Sequence, residues 1–207
     1  MGSLMFYSQC GEDKLMFEKY FSDKKNGVFL ELGAMDGVKF SNTKFFEDQG
    51  WTGYLIEPDP VTYKDLPKNR PNSKTFNKAI TLKRGKVQMS TNKTHAVTSV
   101  AEGMSDNFKE KWHKNSTIIE VESVPISDLV KFEECPHIDF WSLDVEGREL
   151  DVLMTFDWRI QVDYILIETL DNFHKEANDK CREFLKSKGY SFKQKVAHNE
   201  LWVKEPH

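Results

Sequence analysis

Val28-Phe29-Leu30-Glu31-Leu32-Gly33-Ala34-Met35-Asp36-Gly37 is the stretch that decides the fold of this 207-residue chain. Its apolar run, 28–32, suits a buried strand and passes into a turn with a glycine at each end. Glycine lets the backbone bend sharply and lets a ligand come close with no Cβ in the way. A helix follows over 41–49, with Ser41 or Asn42 as its N-cap and Gly50 ending it. The next strand, 54–56, stops at Pro58 and Pro60. Val28 to Asp59 thus reads as a strand–turn–helix–strand unit. In such folds a ligand sits beyond the carboxyl ends of the strands, where strand order reverses.

The rest of the chain continues this alternation. A short helix over 61–66, a third strand within 74–80 and a strand over 86–90 lead into a polar stretch, 92–116. That stretch reads as a loop with one helix around 106–113. Strands over 117–124, 138–143 and 164–167 follow, interleaved with helices over 149–156 and 176–188. A hairpin of 190–196 and 200–203, turning at His198-Asn199, closes the chain. The pattern predicts an α/β fold around a mostly parallel sheet. One domain over 7–207 is expected, with an irregular insertion near 92–116. Residues 1–6 read as a cloning scar or tail, which admits a domain cut from a larger protein.

Composition narrows the function classes. Hydrophobic residues at 39% and charged residues at 30% suit a globular core rather than disorder. A net charge of −4 supplies no basic field for nucleic acid. The longest apolar runs are far too short to span a bilayer. Cys10, Cys135 and Cys181 show no paired spacing, which argues against a disulfide framework or zinc site and suits reduced thiols in the cytoplasm.

Four motifs carry chemistry. The turn after the first strand has two glycines rather than the three of a dinucleotide fingerprint, so a pyrophosphate has no evident cradle. A cofactor without phosphate fits better, its carboxylate taken by donors at Ser41 and Asn42. Glu57 ends the second strand, at about the offset expected of an acid that accepts both ribose hydroxyls. Ser142-Leu143-Asp144-Val145-Glu146-Gly147 brings two carboxylates to the same rim, where they suit a general base, a divalent cation or simple helix capping. Glu168-Thr169-Leu170-Asp171-Asn172-Phe173-His174 adds acids and an imidazole on the neighbouring loop, although a lone loop histidine is more often only solvated.

Taken together these residues resemble the FkbM-type family of S-adenosylmethionine-dependent methyltransferases. The resemblance runs from Ser8-Gln9-Cys10-Gly11-Glu12-Asp13 through Phe29 to Gly37, Ser41-Asn42-Thr43, Trp51-Thr52-Gly53-Tyr54 and Ile56-Glu57-Pro58. It continues in Asn77-Lys78-Ala79-Ile80, in Val124-Pro125-Ile126-Ser127-Asp128-Leu129 and in Asp144-Val145-Glu146-Gly147-Arg148-Glu149. It fades over 92–116.

The resemblance implies a Rossmann-like, class I methyltransferase sheet of seven strands with a C-terminal antiparallel hairpin. It implies O-methylation of a hydroxyl on a small molecule or glycan, such as a deoxyhexose of the rhamnose type. Gln9, Glu31, Gly33, Ala34, Asp36, Gly37, Ser41, Asn42, Glu57, Pro58, Ala79, Ile80 and Asp144 become cofactor contacts. Asp144, Glu146 and His174 are the candidate bases, and Asp144 with Glu168 the candidate ligands of a divalent cation such as Mg or Mn. Two rivals stand beside this reading: a nicotinamide-dependent oxidoreductase on a related sheet, and a catalytically silent cofactor-binding module that scaffolds glycan assembly.

Overall fold

The computed structural model describes residues 4–91, 98–100, 110 and 116–205, with only the backbone for 98–100. The apolar run forms β1 (Val28–Leu32). It pairs in parallel with β2 (Thr52–Ile56) on one side and β8 (His137–Leu143) on the other. β3 (Lys74–Phe76) extends the β2 side, and β9 (Gln161–Glu168) the β8 side, both in parallel. The terminal hairpin, β10 (Tyr190–Val196) and β11 (Asn199–Lys204), docks with β11 antiparallel to β9. The sheet order β10-β11-β9-β8-β1-β2-β3 therefore reverses between β1 and β8, as the Rossmann-like expectation requires.

Side chains alternate across β1 because successive Cβ atoms in a strand point to opposite faces. Leu30 and Leu32 pack into a core with Trp141, with Val152 and Leu153 of α5 (Glu149–Thr155) and with Leu185 of α6 (Asp171–Ser187). Phe29 faces the other way. It joins Met16 of α1 (Glu12–Met16), Phe45 and Phe46 of α2 (Lys44–Asp48), and Trp51. A π-helical turn, Phe17–Phe21, prolongs α1 and carries Phe21 into the edge-on aromatic packing against Phe46 and Trp51.

Glu31 shares the Phe29 face and would be a buried charge without help. Arg70, fully buried just after α4 (Leu66–Asn69), supplies it. Its guanidinium lies 3.5 Å from Glu31, pairs with Glu47 of α2, and donates to Thr43 Oγ1 at 2.9 Å, Gly37 O at 3.1 Å and Ser41 Oγ at 3.2 Å. Glu31 in turn accepts from Ser41 Oγ, Thr43 Oγ1 and the Asn42 backbone N–H at 2.6–2.8 Å. This network fixes the course of the loop between β1 and α2.

Several sequence expectations are corrected. The third strand lies within 74–80 as expected but ends at Phe76, where Asn77 turns its amide onto Glu57 O and Pro58 O and the chain leaves the sheet. β4 (Ala79–Ile80) then joins a second sheet, in the order β4-β7-β5-β6, with β7 (Thr117–Val124), β5 (Gly85–Thr91) and β6 (Thr98–Val100). Part of the 92–116 stretch is therefore a strand, and the helix expected at 106–113 falls outside the described residues except for residue 110. The 41–49 helix begins only at Lys44, and Ser41, expected as its N-cap, accepts the Thr43 and Lys44 N–H groups at 3.2 and 3.0 Å while its hydroxyl donates to Glu31. In place of one helix over 61–66 there are two turns, α3 (Pro60–Tyr63) and α4, and Pro67 is tolerated in the first turn of α4, where N–H groups lack helical partners. The last long helix starts five residues early, at Asp171, and kinks at His174 (φ −132°, ψ 31°).

Removing one member of a buried ion network leaves its partners charged and unpaired, at a cost of about 3–5 kcal/mol. Arg70→Met is expected to lower the stability measured by urea unfolding by that order. A loss of under about 1 kcal/mol would show that Glu31 and Glu47 do not need the guanidinium.

Candidate active site

A cavity of about 520 Å³ opens over the carboxyl ends of β1, β2, β8 and β9, at the reversal of strand order. That volume lies within the range of small-molecule sites. Glu57, buried just past β2, forms one wall. Its Oε2 accepts the Met35 N–H at 2.8 Å and its Oε1 the Asp59 N–H at 2.7 Å. Thr62 adds a side-chain hydrogen bond, and the carboxyl still has acceptor capacity for a ligand hydroxyl. Burial pushes this carboxyl up to about 7, against the pull of the two backbone donors. Beside it Ile56, Pro58, Ala79, Ile80 and Met89 line an apolar slot that suits a flat heteroaromatic ring.

The opposite wall is acidic. Asp144 follows β8, Glu146 lies two residues on, and Glu168 ends β9. A carboxylate oxygen from each lies within 4.8 Å of one from the others. Burial raises Asp144 to about 6. Burial and the charge of Asp144 push Glu146 and Glu168 well above the usual carboxylate range. Among the described residues, Asp144 Oδ1 is buried without a hydrogen-bond partner. The backbone here is wound tightly, with Glu146 at φ 56° and Gly147 at φ 95°. A Cβ on Gly147 would stand 2.9 Å from the His174 ring. Glu149, the buried first residue of α5, accepts the Val145 and Gly147 N–H groups, each at 3.1 Å, and holds the turn. Gly33 matters for the same reason, since at φ 77° its Cβ would meet Asp144 O at 2.3 Å. The glycine thus lets β1 and β8 close on one another.

The sequence-predicted residues divide. Gln9, Gly33, Asn42, Glu57, Pro58, Ala79, Ile80, Asp144, Glu146 and Glu168 all line the cavity. Glu31, Ala34, Asp36, Gly37 and Ser41 do not. Glu31 and Ser41 belong to the Arg70 network behind the loop, and Asp36 Oδ1 accepts the Val38 and Lys39 N–H groups to shape the turn. The expected donors at Ser41 and Asn42 are consumed as well. The Asn42 N–H goes to Glu31 and its Nδ2 to Ser142 Oγ at 2.9 Å, so the side chain offers the cavity an acceptor, Oδ1. His174 lies behind Gly147 in a neighbouring hollow of about 340 Å³, where burial lowers its pKa. α6 kinks at His174, and the ring does not line the cavity with Asp144. Glu12 and Asn199 line the cavity without having been singled out; only the placement of Glu12 beside Gln9 and Gly11 hinted at it.

The model of the FkbM methyltransferase domain matches residues 31–192, more than half of the chain. A TehB-like SAM-dependent methyltransferase from Corynebacterium glutamicum has a similar fold (TM-score 0.50, 10% identity, covering 96% of this chain and 89% of that one). A protein from Clostridium thermocellum assigned as an rRNA-methylase is similar too (TM-score 0.51, 10% identity, covering 96% and 94%). A search of curated proteins gave no match. The chain belongs to the FkbM methyltransferase domain family, a family of S-adenosylmethionine-dependent methyltransferases. The nicotinamide reading is not favoured.

Glu57 and Glu149, each at about 7, and Asp144, at about 6, hold their protons more tightly folded than unfolded, where ordinary values of 4.5 and 3.8 apply. Their contribution to stability is complete below those ordinary values and is lost as pH rises through 6–7. Thermal melts of the ligand-free protein from about pH 5 to about pH 8 are expected to show a fall in midpoint that Glu57→Gln makes shallower. The same slope in both proteins would contradict the assignment.

Proposed function

We propose that this methyltransferase transfers its methyl group to a hydroxyl of a sugar, on a small molecule or a glycan, such as a deoxyhexose of the rhamnose type. The observation that carries the proposal is the acidic wall of Asp144, Glu146 and Glu168 beside the cofactor cavity. An alcohol is a poor nucleophile at neutral pH and needs a group to take its proton, whereas an acid-lined cavity repels a phosphate backbone.

The residues present fit the cofactor. Glu57 faces the cavity as a carboxyl acceptor for the ribose, the Ala79–Ile80 slot suits adenine, and Asn42 Oδ1 is a buried acceptor awaiting a donor. Bound adenosylmethionine supplies an electrophilic methyl group. The protein's work is alignment, holding the acceptor oxygen in line with that methyl. Asp144, at about 6, is ionised at neutral pH yet more basic than an ordinary aspartate, which suits it to receive the hydroxyl proton. A backbone hydrogen bond from Glu146 pulls against the burial of Asp144 and tempers that basicity.

A divalent cation such as Mg or Mn gives the same wall a second use. Hard oxygen ligands from Asp144 and Glu168, with Glu146 near, suit such an ion, and it would lower the pKa of a coordinated hydroxyl. The three cysteines are free, which supports a reducing, cytoplasmic setting. No helix among the described residues is long and apolar enough to cross a membrane.

Labelled methyl transfer screened over a panel of glycans and free deoxysugars is expected to find a hydroxyl acceptor. Asp144→Asn is expected to slow turnover on it by roughly 10²–10⁴-fold. Transfer only to amino groups or nucleic acid would overturn the reading, and undiminished turnover in the variant would remove Asp144 from the base role. Activity that survives a chelator would exclude the cation.

A further inference from the structure

The first residues of the described chain form a strap across the mouth of the cavity. Asp13, fully buried, gathers the Tyr7 and Ser8 N–H groups and the Ser8 hydroxyl, winding the segment onto the start of α1. Ser8 bridges to the backbone of Phe40, in the loop after β1. On the other side Glu12 Oε1 accepts from Asn199 Nδ2 at 3.2 Å, and Asn199 pairs in the sheet with Glu168. The strap therefore joins the β1 loop to the β11 side, with Gln9 and Glu12 facing the cavity.

Glu12 is the anomaly in this strap. It is 3% exposed, yet no cation pairs with it among the described residues. Its partners are the Asn199 amide and the Cys10 N–H, which donates to Oε2 at 2.8 Å. Those use one lone pair on each oxygen and leave one on each. A buried carboxylate without a counter-ion is costly, and structures retain one where a ligand brings the opposite charge. Glu12 lines the cavity with Asn199, whose sheet partner Glu168 belongs to the acidic wall, which puts it at that end rather than the Ala79–Ile80 end.

We infer that Glu12 binds the α-ammonium group of the cofactor's methionine portion. This rests on the adenosylmethionine reading of the cavity. The cofactor carries two cationic centres, a sulfonium and an ammonium. Only the ammonium has N–H donors, and Glu12 offers acceptors. Binding would supply the missing counter-ion and tie the N-terminal strap to an occupied site.

Titration calorimetry with two probes tests the inference. S-adenosylhomocysteine keeps the ammonium, and 5′-methylthioadenosine lacks the whole amino-acid portion. Glu12→Gln is nearly isosteric, and its thermal melt reports whether the strap stays folded. The variant is expected to bind adenosylhomocysteine roughly tenfold to a hundredfold more weakly than the wild type while binding methylthioadenosine equally well. Glu12→Asp, which keeps the charge, is expected to recover part of the loss. Unchanged affinity for adenosylhomocysteine in Glu12→Gln overturns the inference and leaves the cofactor reading intact. An equal loss for both probes also overturns it, since Glu12 would then serve only to hold the strap. Failure of the wild type to bind either probe would instead refute the cofactor reading, and this inference with it.

Discussion

Arg70, buried between Glu31 and Glu47, fixes the loop on which the rest of the site is built. Glu31 stands on a strand face otherwise filled by aromatic rings, where a lone carboxylate would be expelled. With Arg70 behind it, Glu31 collects Ser41, Asn42 and Thr43 and sets where α2 begins. The same arginine holds Gly37 O. Met35 is thereby left with its N–H on Glu57, and Asn42 with its amide on Ser142 across the β1–β8 boundary. The network touches the cavity lining only at Asn42, yet it shapes two of its walls.

What lines the cavity follows the opposite rule. Behind the loop each buried charge has a partner of opposite sign. In the cavity Asp144, Glu146 and Glu168 crowd together, with Glu12 and Glu57 elsewhere in its lining. Burial drives Glu57, Asp144, Glu146 and Glu168 upward in pKa. A site so rich in acceptors and negative charge is complementary to a ligand that brings hydroxyl donors and positive charge. Adenosylmethionine brings both, as a ribose diol, an ammonium and a sulfonium. The tight backbone at Glu146 and Gly147, held by Glu149, is the local strain accepted to bring those acids to one point.

Much of the framework was legible in the chain. The bounds of 28–32 and 190–196 were readable because apolar periodicity and flanking glycines agree there, and those of 117–124 because a β-branched run ends at Pro125. Glu57, Asp144, Glu146 and Glu168 were legible as neighbours of one rim because a carboxylate at or just past the end of an apolar strand lies at the sheet's edge. Other features depend on partners distant in sequence. Glu31 reads as a cofactor contact until Arg70 is seen behind it, and nothing near Glu31 announces that arginine. Glu12 meets Asn199 only after the hairpin docks. The second sheet was hidden because β4 is two residues long and finds its partner in β7, beyond the 92–116 stretch. His174 lies off the cavity, at a kink in α6 that periodicity does not announce.

The central claim is that the cavity over the β1–β8 boundary is the adenosylmethionine site, with Glu57 reading the ribose and Asp144 beside the transferring group. A crystal structure of the protein with S-adenosylhomocysteine tests this most directly. The account predicts both ribose hydroxyls on the Glu57 carboxylate, adenine against Ala79 and Ile80, and the sulfur facing Asp144. A ligand bound elsewhere, or one whose ribose does not contact Glu57, would contradict it.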